Sequence, residues 1–307
     1  MEARLAESSN ELQTAATIYA EGLKEQPDNV MLAGKAYVNA IEVGNFDLAA
    51  KAVGIMQLHG TANPEMPLIH FAEAFAQRDW TGASLAIVEL KALKNFAFLA
   101  PFLEGWLESA RGRNTSTAFA TARSSETAKY YLEEQLILHG LANRREREAK
   151  ALLARVIERN EPRMAPVRVI AAQHFWAQND PATALAILKM RSSAAELRLS
   201  QKIEAGQKKN VGQKVTPAIG LAFIFERLSS DLAVQQAQFL SLVMAQAGKR
   251  IAGDSDYAHL VLGRAYAAAE NHHLAIAEFA RIGPESPYFL IGLSSQIASF
   301  VTNGDFD

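Results

Sequence analysis

The residues that could do chemistry here are seven histidines, a few neighbouring carboxylates and two short basic runs. Imidazoles at ligand spacing hold a metal, and an imidazole beside a carboxylate can move a proton. His59, His70, His139, His174 and His259 are scattered, and only His272 and His273 adjoin. Neighbours on a helix point about 100° apart, so that pair does not chelate readily. All seven read as surface or packing histidines. Glu133-Glu134 and Asp254/Asp256 are close enough for paired acid–base work, but no nucleophile or base is patterned beside them. A solvated helix face or a cap is the simpler reading.

Arg144-Arg145-Glu146-Arg147 interleaves acid with base and reads as a solvated turn. Lys208-Lys209 is a weak candidate for an acidic contact. No phosphate-cradling glycine loop, His-Glu-x-x-His pair or Gly-x-Ser-x-Gly elbow occurs. There is no cysteine, which removes disulfides, thiolate catalysis and cysteine–zinc sites. The expectation is no catalytic residue, no metal, no cofactor, and hence no enzyme.

What positions these residues is helical. Hydrophobic residues make up 49% of the 307 residues and charged residues 21%, as in an ordinary folded protein. The net charge of -2 gives no electrostatic reason to expect nucleic acid. No apolar run is long enough to span a membrane. Apolar residues recur at spacings of three and four, as in Leu12, Ala15, Ala16, Tyr19 and Leu23. Short clusters such as Gly44-Asn45, Asn179-Asp180-Pro181 and Gly283-Pro284 punctuate them, which predicts short helices folded into hairpins.

A period then emerges. Leu262-Gly263-x-x-Tyr266, Ala275, Phe279, Ile282 and Pro287 resemble the tetratricopeptide repeat, a helix pair of 34 residues. Units in that frame begin at Val30, Pro64 and Phe98, near Tyr130 and Ala165, and again at Asp256 and Leu290. The last unit's turn falls on Gly304-Asp305-Phe306, and the frame predicts that this unit is truncated. The resemblance implies an all-α, right-handed superhelical solenoid of antiparallel helix pairs without β-sheet. Each pair would bury its faces by stacking on the next. Tyr37 and Phe71 depart from the pattern, standing where the family prefers a small residue.

Three segments of one continuous solenoid are expected: an N-terminal array over 1–191, an irregular helical segment over 192–253 with a polar loop near 208–216, and C-terminal units over 254–307. The irregular part reads as a helix over about Ala194–Gln207, then a pair over about Pro217–Leu228 and Leu232–Lys249. The chain looks like a group of usually larger bacterial tetratricopeptide proteins that often carry an export leader. As given it reads as cytoplasmic, or as exported if a leader has been removed.

By the resemblance, defined positions of each first helix line a concave groove. Here they supply Leu68, Phe75, Phe102, Trp106, Tyr131, Leu138, Gln173 and Trp176, a mostly apolar, aromatic stripe. Such rings anchor a partner helix or extended peptide. The expected function is therefore a scaffold that binds an apolar protein segment in the groove, with neither nucleic acid nor membrane insertion. The alternative is an assembly module that self-associates, or packs on further chain, through the open C-terminal unit.

Overall fold

The computed structural model describes Ala3, Ala6 and residues 11–61, 63–113 and 117–304. Among these residues the regular structure is helical, with no strand. The first seven helices are α1 (Leu12–Glu25), α2 (Val30–Val43), α3 (Phe46–Leu58), α4 (Met66–Ala76), α5 (Trp80–Leu93), α6 (Ala100–Ala110) and α7 (Ala118–Ala122). Next come α8 (Glu126–Ala142), α9 (Glu146–Arg159), α10 (Ala165–Ala177), α11 (Pro181–Ile187) and α12 (Ala194–Glu204). The last five are α13 (Pro217–Val234), α14 (Gln238–Ala252), α15 (Asp256–Ala268), α16 (His272–Phe279) and α17 (Phe289–Asn303).

The hairpins follow from local chemistry. A residue with positive φ ends the first helix and an Asx side chain caps the second. Gly44 (φ 77°) precedes Asn45, whose Oδ1 accepts from Leu48 N at 3.1 Å. Arg78, Asn179 and Glu270 take the same left-handed conformation before the caps Asp79, Asp180 and Asn271. Each cap satisfies a backbone donor the helix itself leaves open. The turn at Arg144-Arg145 also has positive φ, but Arg145 provides no side-chain cap.

Consecutive pairs pack together: α2 on α3, α4 on α5, α8 on α9, α10 on α11 and α15 on α16. Glycines let rings close the pairs. A Cβ on Gly105 would lie 2.8 Å from Phe119, and one on Gly263 would lie 2.5 Å from Phe279.

The segment over 192–253 departs from neighbour-to-neighbour packing. Its first helix, α12, joins α10 through Arg168, whose Nε donates to Glu196 Oε1 at 2.6 Å with both side chains fully buried. The pair α13–α14 then packs on helices distant from it in sequence. α13 packs on α6, α8 and α15, and α14 packs on α2, α3, α4 and α15. α13 also runs past the expected end at Leu228 to Val234. The polar residues Ser229, Ser230 and Asp231 do not break it, because tertiary partners hold two of them. Ser229 pairs with Ser241 at 3.1 Å, and Asp231 accepts from Tyr131 Oη at 2.9 Å.

The first and last thirds of the chain also meet. Asn271 Nδ2 donates to the Glu42 carbonyl at 3.2 Å, and Gln246 Nε2 donates to that of Ile41. Tyr266 Oη sits so near Gly44 that a Cβ there would be 2.4 Å away.

Candidate functional site

All eight residues of the aromatic stripe are buried. α13, α14 and the loop before α13 cover or hold much of it. The Trp106 indole lies on Gly220 of α13, and its Nε1 donates to Gln135 Oε1 at 2.6 Å. Phe102 and Trp106 both contact the Phe119 ring, at 5.9 and 6.3 Å between centroids. Phe75 packs against Phe71, which stacks on Phe225 of α13 at 6.5 Å. Tyr131 donates to Asp231 of α13.

Gln173 and Trp176 hold the polar loop. Gln173 Nε2 donates to the Val211 carbonyl at 3.1 Å, and Trp176 Nε1 to that of Gln207 at 3.0 Å. Leu68 and Leu138 are fully buried. The sequence pattern put these residues on one face, but what covers that face is a helix pair distant in sequence. Gly220 gives the pair its close approach to Trp106, and nothing in the local pattern named the wall it would meet.

Charged residues fasten the inserted pair at both ends. Arg227 of α13 donates to Glu134 of α8 at 2.8 Å, and Arg163 bonds Asp231 at 3.2 Å. Burial raises the Glu134 carboxyl, with Arg227 and Arg163 pulling the other way. On α14, Arg250 grips both oxygens of Glu73 at 2.8 Å. Glu133 lies elsewhere, in an exposed pair with Arg159.

Two further titratable clusters remain, each built around a buried residue, His259 in one and Glu226 in the other. His259 bridges Asp254 and Glu278 at 2.6 Å each, and Lys249 completes the set at 2.8 Å from Glu278. Burial raises the Glu278 carboxyl, but hydrogen bonds from His259 and Lys249 more than reverse this and hold it below its ordinary value. These groups tie α14, α15 and α16 together. The second cluster lines a small, partly open cavity of about 40 Å³ with Glu226, Asp256, Tyr257 and Tyr288. Burial lifts the Glu226 carboxyl to about 8, against the pull of Arg227. A space of this size takes one or two waters, whereas ligand pockets run to several hundred Å³.

The other histidines are dispersed. His139 packs against Trp106 and Phe119, and burial with Arg145 lowers its pKa to about 4. His174 accepts from Val215 N at 3.0 Å. His272 opens α16 beside His273. No three histidines or carboxylates gather as a cation site among the described residues.

An apolar surface lies open on α17. Leu290, Leu293, Ile297, Phe300 and Val301 on α17 are 38–56% exposed, while Gly292 and Ser299 are the buried residues of that helix. No helix is long and apolar enough to cross a membrane, among the described residues. No protein-family model matches the chain, and no curated protein matches it.

Proposed function

We propose that this protein is a non-catalytic assembly module built of tetratricopeptide-like helix pairs, which engages another polypeptide through the open face of α17. The observation that carries this reading is a contrast. The stripe expected to line a binding groove is buried against the chain's own α13–α14 pair and the loop before it. Among the described residues, α17 is the helix that turns five large apolar side chains outward. A contiguous exposed apolar face on a folded protein marks an interaction site.

Binding of an apolar segment in the groove itself would require displacing α13 and breaking the Arg227–Glu134 and Arg163–Asp231 contacts. The geometry favours the terminal face over that groove.

The test compares the wild type with the double variant Leu293→Asp, Ile297→Asp. The wild type should bind an apolar fluorescent dye and associate with rising concentration in light scattering. The variant should lose both and keep its helical circular dichroism. A wild type that stays monomeric and binds no dye would overturn the proposal, as would a variant that behaves like it.

A further inference from the structure

We infer that a half-open pocket between α7, α8 and α9 binds a small anion carried on an apolar body. The inference is independent of the function proposed for α17. Helix α7 packs on α8 but has five residues, against 14 in each of α5 and α9. It leaves part of α8 uncovered, and there a pocket of about 500 Å³ opens, lined from all three helices and from the turn at Arg145. That volume lies within the roughly 300–1,000 Å³ of small-molecule sites.

The lining has two parts. Its floor is apolar, with Phe119 buried and Leu136 and Leu152 half-buried. Its rim is basic: three guanidinium groups, on Arg123, Arg145 and Arg155, stand beside one carboxylate, Glu148. The chain as a whole has a net charge of -2, so this positive excess belongs to the pocket and not to the surface at large. The Arg123 and Arg155 side chains are exposed and make no hydrogen bond, ion pair or ring contact among the described residues.

Arg145 is held in place before any ligand arrives. Its Nη2 donates to Nδ1 of the buried His139 at 3.1 Å. Its Nη1 lies 3.8 Å from Glu148, a side chain 68% exposed, and its Nε is buried with no acceptor among the described residues. A guanidinium so placed is fixed in orientation and only partly neutralised. Its planar fork matches the oxygens of a carboxylate or phosphate, and its preorganisation lowers the entropic cost of binding one. The groove of about 740 Å³ beside Arg250 shows the contrast, because there Glu73 and Asp47 already take up the guanidinium. The occupant is a small molecule rather than a polypeptide, because the side chains of the floor offer a peptide backbone no hydrogen-bonding group.

The experiment titrates octanoate and octyl phosphate into the full chain by NMR, followed at the His139 ring protons. Both should shift these protons, and the tighter one names the head group. Acetate has the charge without the tail, and octan-1-ol the tail without the charge. Each should bind roughly tenfold more weakly or worse, the worth of one charge-assisted hydrogen bond. Arg123→Ala combined with Arg155→Ala should weaken octanoate by a similar factor and leave circular dichroism and Tm unchanged, since neither side chain has a partner to lose. Ala151→Glu, on the exposed wall, should also block binding. The α17 variant Leu293→Asp, Ile297→Asp should bind octanoate as the wild type does, which separates this pocket from the function proposed for α17. The inference is overturned by an absent shift at His139, by octanoate binding no tighter than octan-1-ol, or by binding that survives the arginine variant. N-acetyl-leucine binding tighter than octanoate would overturn the small-molecule occupant.

Discussion

Trp106 of α6 lies directly on Gly220 of α13: a Cβ built on that glycine would fall 2.0 Å from the indole Cη2. The contact joins a wall helix to a helix more than a hundred residues later, and it is closed to any added atom. The widest ring of the presumptive groove is therefore an internal packing element.

Gly220→Ala should then act on stability. The indole is fully buried and bonded to Gln135, so it cannot swing aside freely. Overpacking of this kind costs about 1–3 kcal/mol. Trp106→Ala should cost about 3–5 kcal/mol by leaving a cavity. Urea denaturation measures both. A Trp106→Ala protein of wild-type stability would return the indole to the list of free binding groups.

The ion pair holding α13 gives a second outcome. Glu134 is almost wholly buried, and its strongest partner is Arg227. Arg227→Met leaves a buried carboxylate facing Arg163 alone, so the loss should reach about 3–5 kcal/mol. Glu134→Gln together with Arg227→Met should lose much less, because no charge is stranded. A double-mutant cycle by thermal denaturation tests this. Additive losses would show that the pair is not coupled.

How much of this was legible in the sequence depends on range. The turns at Gly44-Asn45 and Asn179-Asp180 were readable because these residues carry their own backbone instructions. The small-to-aromatic fit of Gly263 with Phe279 belongs to one hairpin and appeared as a pattern. The apolar face of Phe102, Trp106 and Tyr131 was equally readable, but not what covers it. A solvent-lined groove and a wall packed on an inserted helix require the same apolar residues. The distinction lies in Gly220, Asp231 and Arg227, which meet their partners across separations that no local period encodes.

Glu226 predicts a dependence on pH. Its carboxyl is buried on α13, next to Arg227 on its own helix and facing Tyr257, Asp256 and Tyr288 across the cavity. Its ordinary value of 4.5 is lifted to about 8. The folded protein keeps the proton that the unfolded chain gives up, so stability falls as pH rises between these values. The full penalty is several kcal/mol, at about 1.4 kcal/mol per pH unit. Glu226→Gln removes it. The variant should match the wild type near pH 4 and exceed it in Tm at pH 8 to 9. Parallel Tm profiles for the two proteins would contradict the buried, protonated carboxyl.

His139 predicts the opposite limb. Burial among Phe119 and Trp106, with Arg145 Nη2 3.1 Å from its Nδ1, lowers its pKa from 6.5 to about 4. The ring is neutral when folded, and the unfolded chain takes up the proton first. Stability from this group is thus intact above pH 6.5 and is lost as pH falls toward 4, by up to about 3 kcal/mol. His139→Phe keeps the aromatic contacts but cannot be charged. It should be less stable than the wild type at pH 7, where Arg145 loses its acceptor. Its deficit should shrink or reverse by pH 4.5. His70 and His174 are lowered by burial too, so some acid sensitivity should persist in the variant. A deficit that stays constant between pH 7 and 4.5 would show that His139 does not titrate across the folding transition.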